Sequence, residues 1–190
     1  MVKANGYGHG LLRAADAMHE NVSGLGVALV EEARALREHG VTLPILVAEG
    51  FFDAEELKEA ERLSLEVVVH SQWQVELLLA SPCPVRIWLK VNTGMNRLGF
   101  RPDTALQAAA QLRAGGMAPV GAMSHFACAD VSQDAYSEKQ LLVAGQIAEQ
   151  LMLPLSASNS AALLRYPQSH AQRVRPGIML YGSSPFDWQT

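Results

Sequence analysis

The sequence is short of most features that would mark a specialised class of protein. It holds two cysteines in 190 residues, Cys83 and Cys128, too few and too widely spaced for a disulfide scaffold or a thiolate metal centre. No apolar run approaches the roughly 18–20 residues that a membrane span requires. An excess of positive charge is missing as well. Fifteen Lys and Arg against nineteen Asp and Glu give a net charge of -4, with no basic stripe of the kind nucleic acid calls for. The chain does not open with a basic segment, an apolar stretch and a small-residue cleavage site, so a reduced, cytoplasmic setting is expected. There is no P-loop, no H-E-x-x-H and no G-x-S-x-G. Gly6, Gly8 and Gly10 have the wrong spacing for a dinucleotide loop. His125 and Cys128 lack a second pair of ligands, and no metal is expected.

What is present is an alternation of short apolar runs with amphipathic stretches. Val2 begins a first apolar stub, and Gly8 to Gly10 lead into a helix with Leu11, Leu12, Ala15 and Met18 on one face. Leu25–Leu29 reads as a strand, and the charged helix Glu31–His39 after it should stop at a left-handed Gly40. Pro44–Ala48 is the next apolar run, and Asp53 with Glu56 makes a capping box for a third helix. Val67–Val69 is β-branched, and Ser71 with Gln74 should open a fourth helix in the same way. Val85–Val91 alternates, Pro102 can start the alanine-rich helix that follows, and Gly115-Gly116 ends it. Val120–Phe126, the long helix Glu138–Leu151, Leu153–Ser156 with a short helix after Asn159, and Val174–Tyr181 complete eight units. Eight strand–helix units in a single domain over residues 1–190 predict a (β/α)8 barrel. An open doubly wound sheet has the same local alternation and is the other architecture to test.

In a barrel, chemistry gathers where strands end and loops begin. The unusual residues lie at such points: Lys3 and Tyr7 after strand one, Lys90 and Arg97 at or after strand five, and His125 at the end of strand six. Ser160 follows strand seven, and Arg175 and Gly177 lie in strand eight. A lysine within an apolar run is costly to bury charged, and a neutral lysine is what Schiff-base chemistry needs. Taken singly, each has an ordinary explanation: a solvated lysine, a structural histidine, an ion-paired arginine. Their shared position is what points to a site.

The opening V-K-A-N-G-Y-G-H-G (Val2–Gly10) closely resembles the cofactor-lysine motif of alanine racemases, with Gly6 where alanine is common. Four further segments match that family in order: K-V-N-T-G-M-N-R-L-G-F (Lys90–Phe100), S-H-F-A-C-A-D (Ser124–Asp130), S-N-S-A-A (Ser158–Ala162) and V-R-P-G-I-M-L-Y-G (Val174–Gly182). The resemblance implies racemisation of L- and D-alanine with pyridoxal 5'-phosphate, an isomerase activity that supplies D-alanine for peptidoglycan. Lys3 would hold the cofactor as a Schiff base and serve as one of the two bases. Tyr7, the Ser160 hydroxyl and the amides of Gly177 and Ile178 would hold the phosphate. Arg97 would lie near the substrate carboxylate and the cofactor's phenolic oxygen, with Lys90, a carbamylated residue in many relatives, beside it. His125 would pack against the pyridine ring and Arg175 would face its nitrogen. A permanently charged arginine there disfavours ring protonation, which favours return of the proton to the α-carbon over transamination.

Alanine racemases carry a second, mostly β domain, are homodimers and have a helix before strand one. This sequence resembles the barrel alone, shortened at both ends, so the chain is expected to be inactive or impaired by itself. A non-catalytic barrel that binds pyridoxal phosphate is the alternative. A basic amino-acid decarboxylase of the same barrel type and a cofactor-free Schiff-base aldolase are more distant ones.

Overall fold

The computed structural model describes residues 1–131 and 135–186. The chain divides into two compact units, Met1–Ile87 and Trp88–Thr190, and each is built from parallel strands joined by helices.

In the first unit a helical turn, Lys3–Tyr7 (α1), and the helix Leu11–Met18 (α2) precede the strand Leu25–Val27 (β1). Then come Val30–Glu38 (α3), Ile45–Val47 (β2), Ala54–Arg62 (α4), Glu66–Val69 (β3) and Gln72–Ala80 (α5). β1 pairs with β2 in parallel, Leu25 opposite Ile45 and Val27 opposite Val47, and β2 with β3, Val47 opposite Val67. These strands are buried throughout, which is why, apart from Glu66 with its ion pair to Arg86, they read as continuous apolar runs and not as alternations. α3 turns Val30, Ala33 and Leu36 inward at helical spacing and keeps its charges outside. Full burial of a side chain such as Leu36 or Leu57 is worth about 1.5–3 kcal/mol. Gly40 stops α3 with φ at +91°, the left-handed conformation that glycine adopts without steric cost.

The capping signals are realised unequally. Asp53 accepts hydrogen bonds from the Glu55 and Glu56 amides at 2.9 and 2.8 Å, and Glu56 reaches back to the Phe52 amide at 2.8 Å. Ser71 does not cap α5. Gln74 takes the His70 amide at 2.8 Å instead, and the Ser71 hydroxyl donates to the same side-chain oxygen at 3.3 Å.

The second unit continues from Arg86–Lys90 (β4), which begins at the boundary, through Pro102–Ala114 (α6), Gly121–Met123 (β5), Ala135–Leu151 (α7), Leu155–Ser156 (β6) and Ser160–Arg165 (α8). β4 pairs with β5, Lys90 opposite Met123, and β5 with β6, Met123 opposite Ser156, all parallel. Gly121 is demanded by its neighbour, since a Cβ there would stand 2.3 Å from the Trp88 ring. Ala122, Phe126, Ala144, Ala148, Leu155, Ala162 and Tyr166 form one core cluster, with Phe126 and Tyr166 stacked at 6.3 Å. Within each unit sequence neighbours are sheet neighbours. No reversal of strand order, the mark of a doubly wound sheet, occurs inside either one.

Three expectations are corrected. The first and eighth apolar runs are not strands. Val2 donates to the Gly26 carbonyl at 2.8 Å, but the chain turns at Lys3 before a ladder can extend. At the other end Arg175 donates to the Ser158 carbonyl at 2.9 Å. Pro176 then has no N–H to offer, and residues Ile178–Tyr181 wind into a 3-10 helix. In α2 the inward face is Ala14 and Ala15, while Leu12 is exposed. Two alanines let that helix approach closely.

Candidate functional site

The first group of site residues is built on a strained turn. Ala4, Asn5, Gly6 and Tyr7 all have φ between +52° and +61°, so the chain after Lys3 makes one left-handed turn. Such a conformation costs a residue with a Cβ roughly 1–2 kcal/mol, and it persists only where the surroundings over-determine it. Here they do. The Gly6 amide donates to the Val2 carbonyl at 2.8 Å, Gly10 to Asn5 at 2.8 Å and His9 to Gly6 at 3.0 Å. The Asn5 side chain accepts from the Leu11 amide at 2.9 Å, and the Ala4 amide donates to Glu32 at 2.6 Å. Lys3 is half-buried at the head of this turn, its ammonium 5.9 Å from the centre of the Tyr7 ring. Burial pushes the Tyr7 hydroxyl above its ordinary pKa, so it stays a phenol at neutral pH.

In the second unit Lys90 is buried at the carboxyl end of β4, and Arg97 is exposed on the loop that follows. That loop is pinned at its base, where Asn92 donates to the Phe100 carbonyl at 2.8 Å and Phe100 to Lys90 at 2.9 Å. Inside it the Asn92 side chain accepts from the amides of Gly94 and Asn96, both at 3.0 Å. Gly99 adopts φ +120°, and a Cβ there would come within 2.7 Å of the Asn92 amide nitrogen.

Arg175 is buried in a nest of acceptors. It donates to the Ser156 hydroxyl at 2.5 Å, the Ser124 carbonyl at 2.5 Å, the Ala157 carbonyl at 3.3 Å and His125 Nδ1 at 3.2 Å. A guanidinium has no acceptor, so Nδ1 must accept, and a neutral His125 carries its proton on Nε2. Burial, with Arg173 adding repulsion, lowers the Arg175 pKa to about 10. It is still a cation at neutral pH.

A third cluster forms at the start of α8. The Ser160 hydroxyl oxygen accepts from the Gly177 amide at 2.9 Å and the Met179 amide at 3.4 Å. Asn159 caps the helix through the Ala162 amide at 2.9 Å. Ile178, the next residue after Gly177, opens the 3-10 turn.

The structure thus gathers Lys3 with Tyr7, Lys90 with the base of the Arg97 loop, His125 with Arg175, and Ser160 with Gly177 and Met179, Ile178 lying between those two in the chain. Sequence reasoning passed over their supports. Gln140 is fully buried on α7; it donates to Thr93 Oγ1 and the His125 carbonyl at 3.2 Å each and accepts from the Ala127 amide at 2.9 Å. Ser124 and Thr93 share a hydroxyl contact of 2.8 Å. The signal for Gln140 was a polar residue on the inward face of a helix. Ser156, between apolar neighbours in a two-residue strand, offered none. Among the described residues no group of three or more His, Cys, Asp or Glu could hold a metal ion, and no helix is long and apolar enough to cross a membrane.

Parallel strands in sequence order, with helices between them and polar residues at the strand ends, define the (β/α) class of fold. The chain belongs to the alanine racemase family, since the family described as "Alanine racemase, N-terminal domain" matches residues 1–185. It is 79% identical over its full length to an alanine racemase of Alcanivorax borkumensis, covering 54% of that protein. An alanine racemase of Laribacter hongkongensis is 47% identical over 98% of this chain and 52% of its own length. Among solved structures, the biosynthetic alanine racemase from Pseudomonas aeruginosa superposes on the whole chain with a TM-score of 0.93 at 39% identity, over 54% of its own length. The chain therefore spans about half the length of the relatives it matches.

Proposed function

We propose that residues 1–190 act as the pyridoxal-phosphate-binding domain of a cytoplasmic, homodimeric alanine racemase. The carrying observation is the family match over residues 1–185, and local geometry supports it in each unit. The Ser160 hydroxyl oxygen accepts from the Gly177 and Met179 amides, which orients its own O–H as an uncharged donor suited to a phosphate. The cationic, enclosed Arg175 suits a site that must leave a ring nitrogen unprotonated. Lys3 stands on a turn whose backbone is held by hydrogen bonds to Val2, Asn5 and Glu32.

In this reading Lys3 holds the cofactor, Tyr7, Ser160, Gly177 and Ile178 bind its phosphate, and His125 and Arg175 contact its ring. Bound pyridoxal phosphate supplies the electron-withdrawing group that acidifies the α-hydrogen of an amino acid. Lys3 Nζ takes that proton and returns it on one face. Arg97 orients the alanine carboxylate, with Lys90, as a carbamate, behind it. The experiment is direct: mix the purified chain with pyridoxal phosphate in deuterated buffer, then follow its visible spectrum and the α-hydrogen of D- and L-alanine. A new absorption band with α-deuteration is expected. A band without exchange would leave a carrier, and neither would reject the proposal.

A further inference from the structure

The cofactor lysine needs a fixed backbone, yet the turn that carries it is intrinsically unfavourable. We propose that Glu32 is the positioning residue for Lys3, a role that rests on the function proposed above. An ordinary capping-box glutamate serves its own helix alone. Glu32 serves two segments. Its Oε2 accepts from the Ala28 amide at 2.8 Å and the Leu29 amide at 3.4 Å, at the junction of β1 and α3. Its Oε1 turns away to accept from the Ala4 amide at 2.6 Å, across 28 residues of sequence.

Ala4 directly follows Lys3 and is the first of the left-handed residues. Its amide would ordinarily point to solvent, because Ala4 is exposed. The carboxylate instead ties that amide to the end of β1, whose Gly26 carbonyl already holds Val2 at 2.8 Å. Lys3 is therefore clamped on both sides against one strand end, by Val2 before it and Ala4 after it. Both carboxylate oxygens are used, so glutamine, with one acceptor oxygen, cannot replace it in full.

The test uses the 190-residue chain with Glu32→Gln and Glu32→Ala, and with Asp53→Ala as a control that removes a helix cap elsewhere in the same unit. Amide hydrogen exchange is read at Ala4 without cofactor. The yield and rate of the borohydride-fixed pyridoxal adduct at Lys3 are read with it. Glu32→Gln should speed Ala4 exchange and slow adduct formation about tenfold or more, the effect of losing a charge-assisted hydrogen bond. Exchange in β2 and β3 should be unchanged, and Asp53→Ala should change neither readout. Should Glu32→Ala fail to fold, the near-isosteric Glu32→Gln decides. Unchanged Ala4 exchange overturns the proposal, and so does faster exchange with an unaltered Lys3 adduct. If the unsubstituted chain forms no Lys3 adduct, the cofactor reading fails, and Ala4 exchange alone then decides whether Glu32 holds the turn.

Discussion

Arg175 illustrates how much a single side chain can be asked to do. Its guanidinium satisfies the Ser156 hydroxyl, the carbonyls of Ser124 and Ala157 and the imidazole of His125, and it does so while buried. Removing it leaves those acceptors without their donor, and each buried unsatisfied group costs about 1–3 kcal/mol. Arg175→Ala should therefore lower unfolding stability by about 2–4 kcal/mol on that basis, measured by urea titration. A loss below about 0.5 kcal/mol, the level of an ordinary surface change, would mean that water replaces the guanidinium freely. Arg175→Lys should recover little of the loss, because one ammonium cannot reproduce a planar fork.

At the scale of elements, the clearest device is the ion pair between α3 and α4. Arg34 on α3 makes a forked contact with Glu59 on α4, its Nε 2.6 Å from Oε1, and Arg62 adds a contact at 3.0 Å. Hydrogen bonding to Arg34, against an opposing desolvation cost and with help from Arg62, lowers the Glu59 pKa from 4.5 to about 2. A carboxylate with a lowered folded pKa contributes stability that is complete above its unfolded value and lost as pH falls through the folded one. Glu59→Gln should thus melt below the parent at neutral pH, and the gap should close as pH falls from 4.5 to about 2. A gap that stays constant over that window in melting curves would contradict the pairing. Asp53→Ala, which uncaps α4, should cost about 1 kcal/mol.

Elements were legible in the sequence to the extent that local rules governed them. Asp53, Gly40 and Pro102 mark their helix ends because a cap, a left-handed glycine and a proline at the first helical turn act within a few residues. The β-branched run in β3 was equally plain. The left-handed turn at Ala4–Tyr7 was not. Alanine and tyrosine carry no preference for positive φ, and the hydrogen bonds that force it come from Val2, Asn5 and Glu32 together. Val174–Tyr181 failed as a strand for a similar reason: its apolar pattern is strand-like, but Pro176 interrupts the donors. The site residues stood out by chemical type and motif. Gln140, Ser156 and Glu32 act through longer-range contacts, which leave little trace in a local pattern.

At the scale of the whole molecule the question is how much chemistry 190 residues can perform. Racemisation by two bases needs a proton donor on each face of the reacting carbon, and in the function proposed above Lys3 serves one. Two of the described tyrosines are committed elsewhere: Tyr136 donates to the Gly94 carbonyl at 3.0 Å, and Tyr166 lies buried against Phe126. A well-placed acid–base group contributes about 10²–10⁴-fold. The 190-residue chain by itself should exchange the α-hydrogen of one alanine enantiomer while racemising far below the roughly 1–10³ s⁻¹ of typical enzymes. A coupled D-alanine assay, with Lys3→Ala to control for contaminating enzyme, checks this. The central claim is narrower, that Lys3 is the residue which holds pyridoxal phosphate, and one measurement reaches it directly. The chain is incubated with the cofactor, reduced with borohydride, digested and mapped by mass spectrometry. The account predicts a single pyridoxyl modification at Lys3, absent from a folded Lys3→Ala variant. A modification at Lys58, Lys90 or Lys139 in its place, or equal labelling of the Lys3→Ala variant, would contradict it.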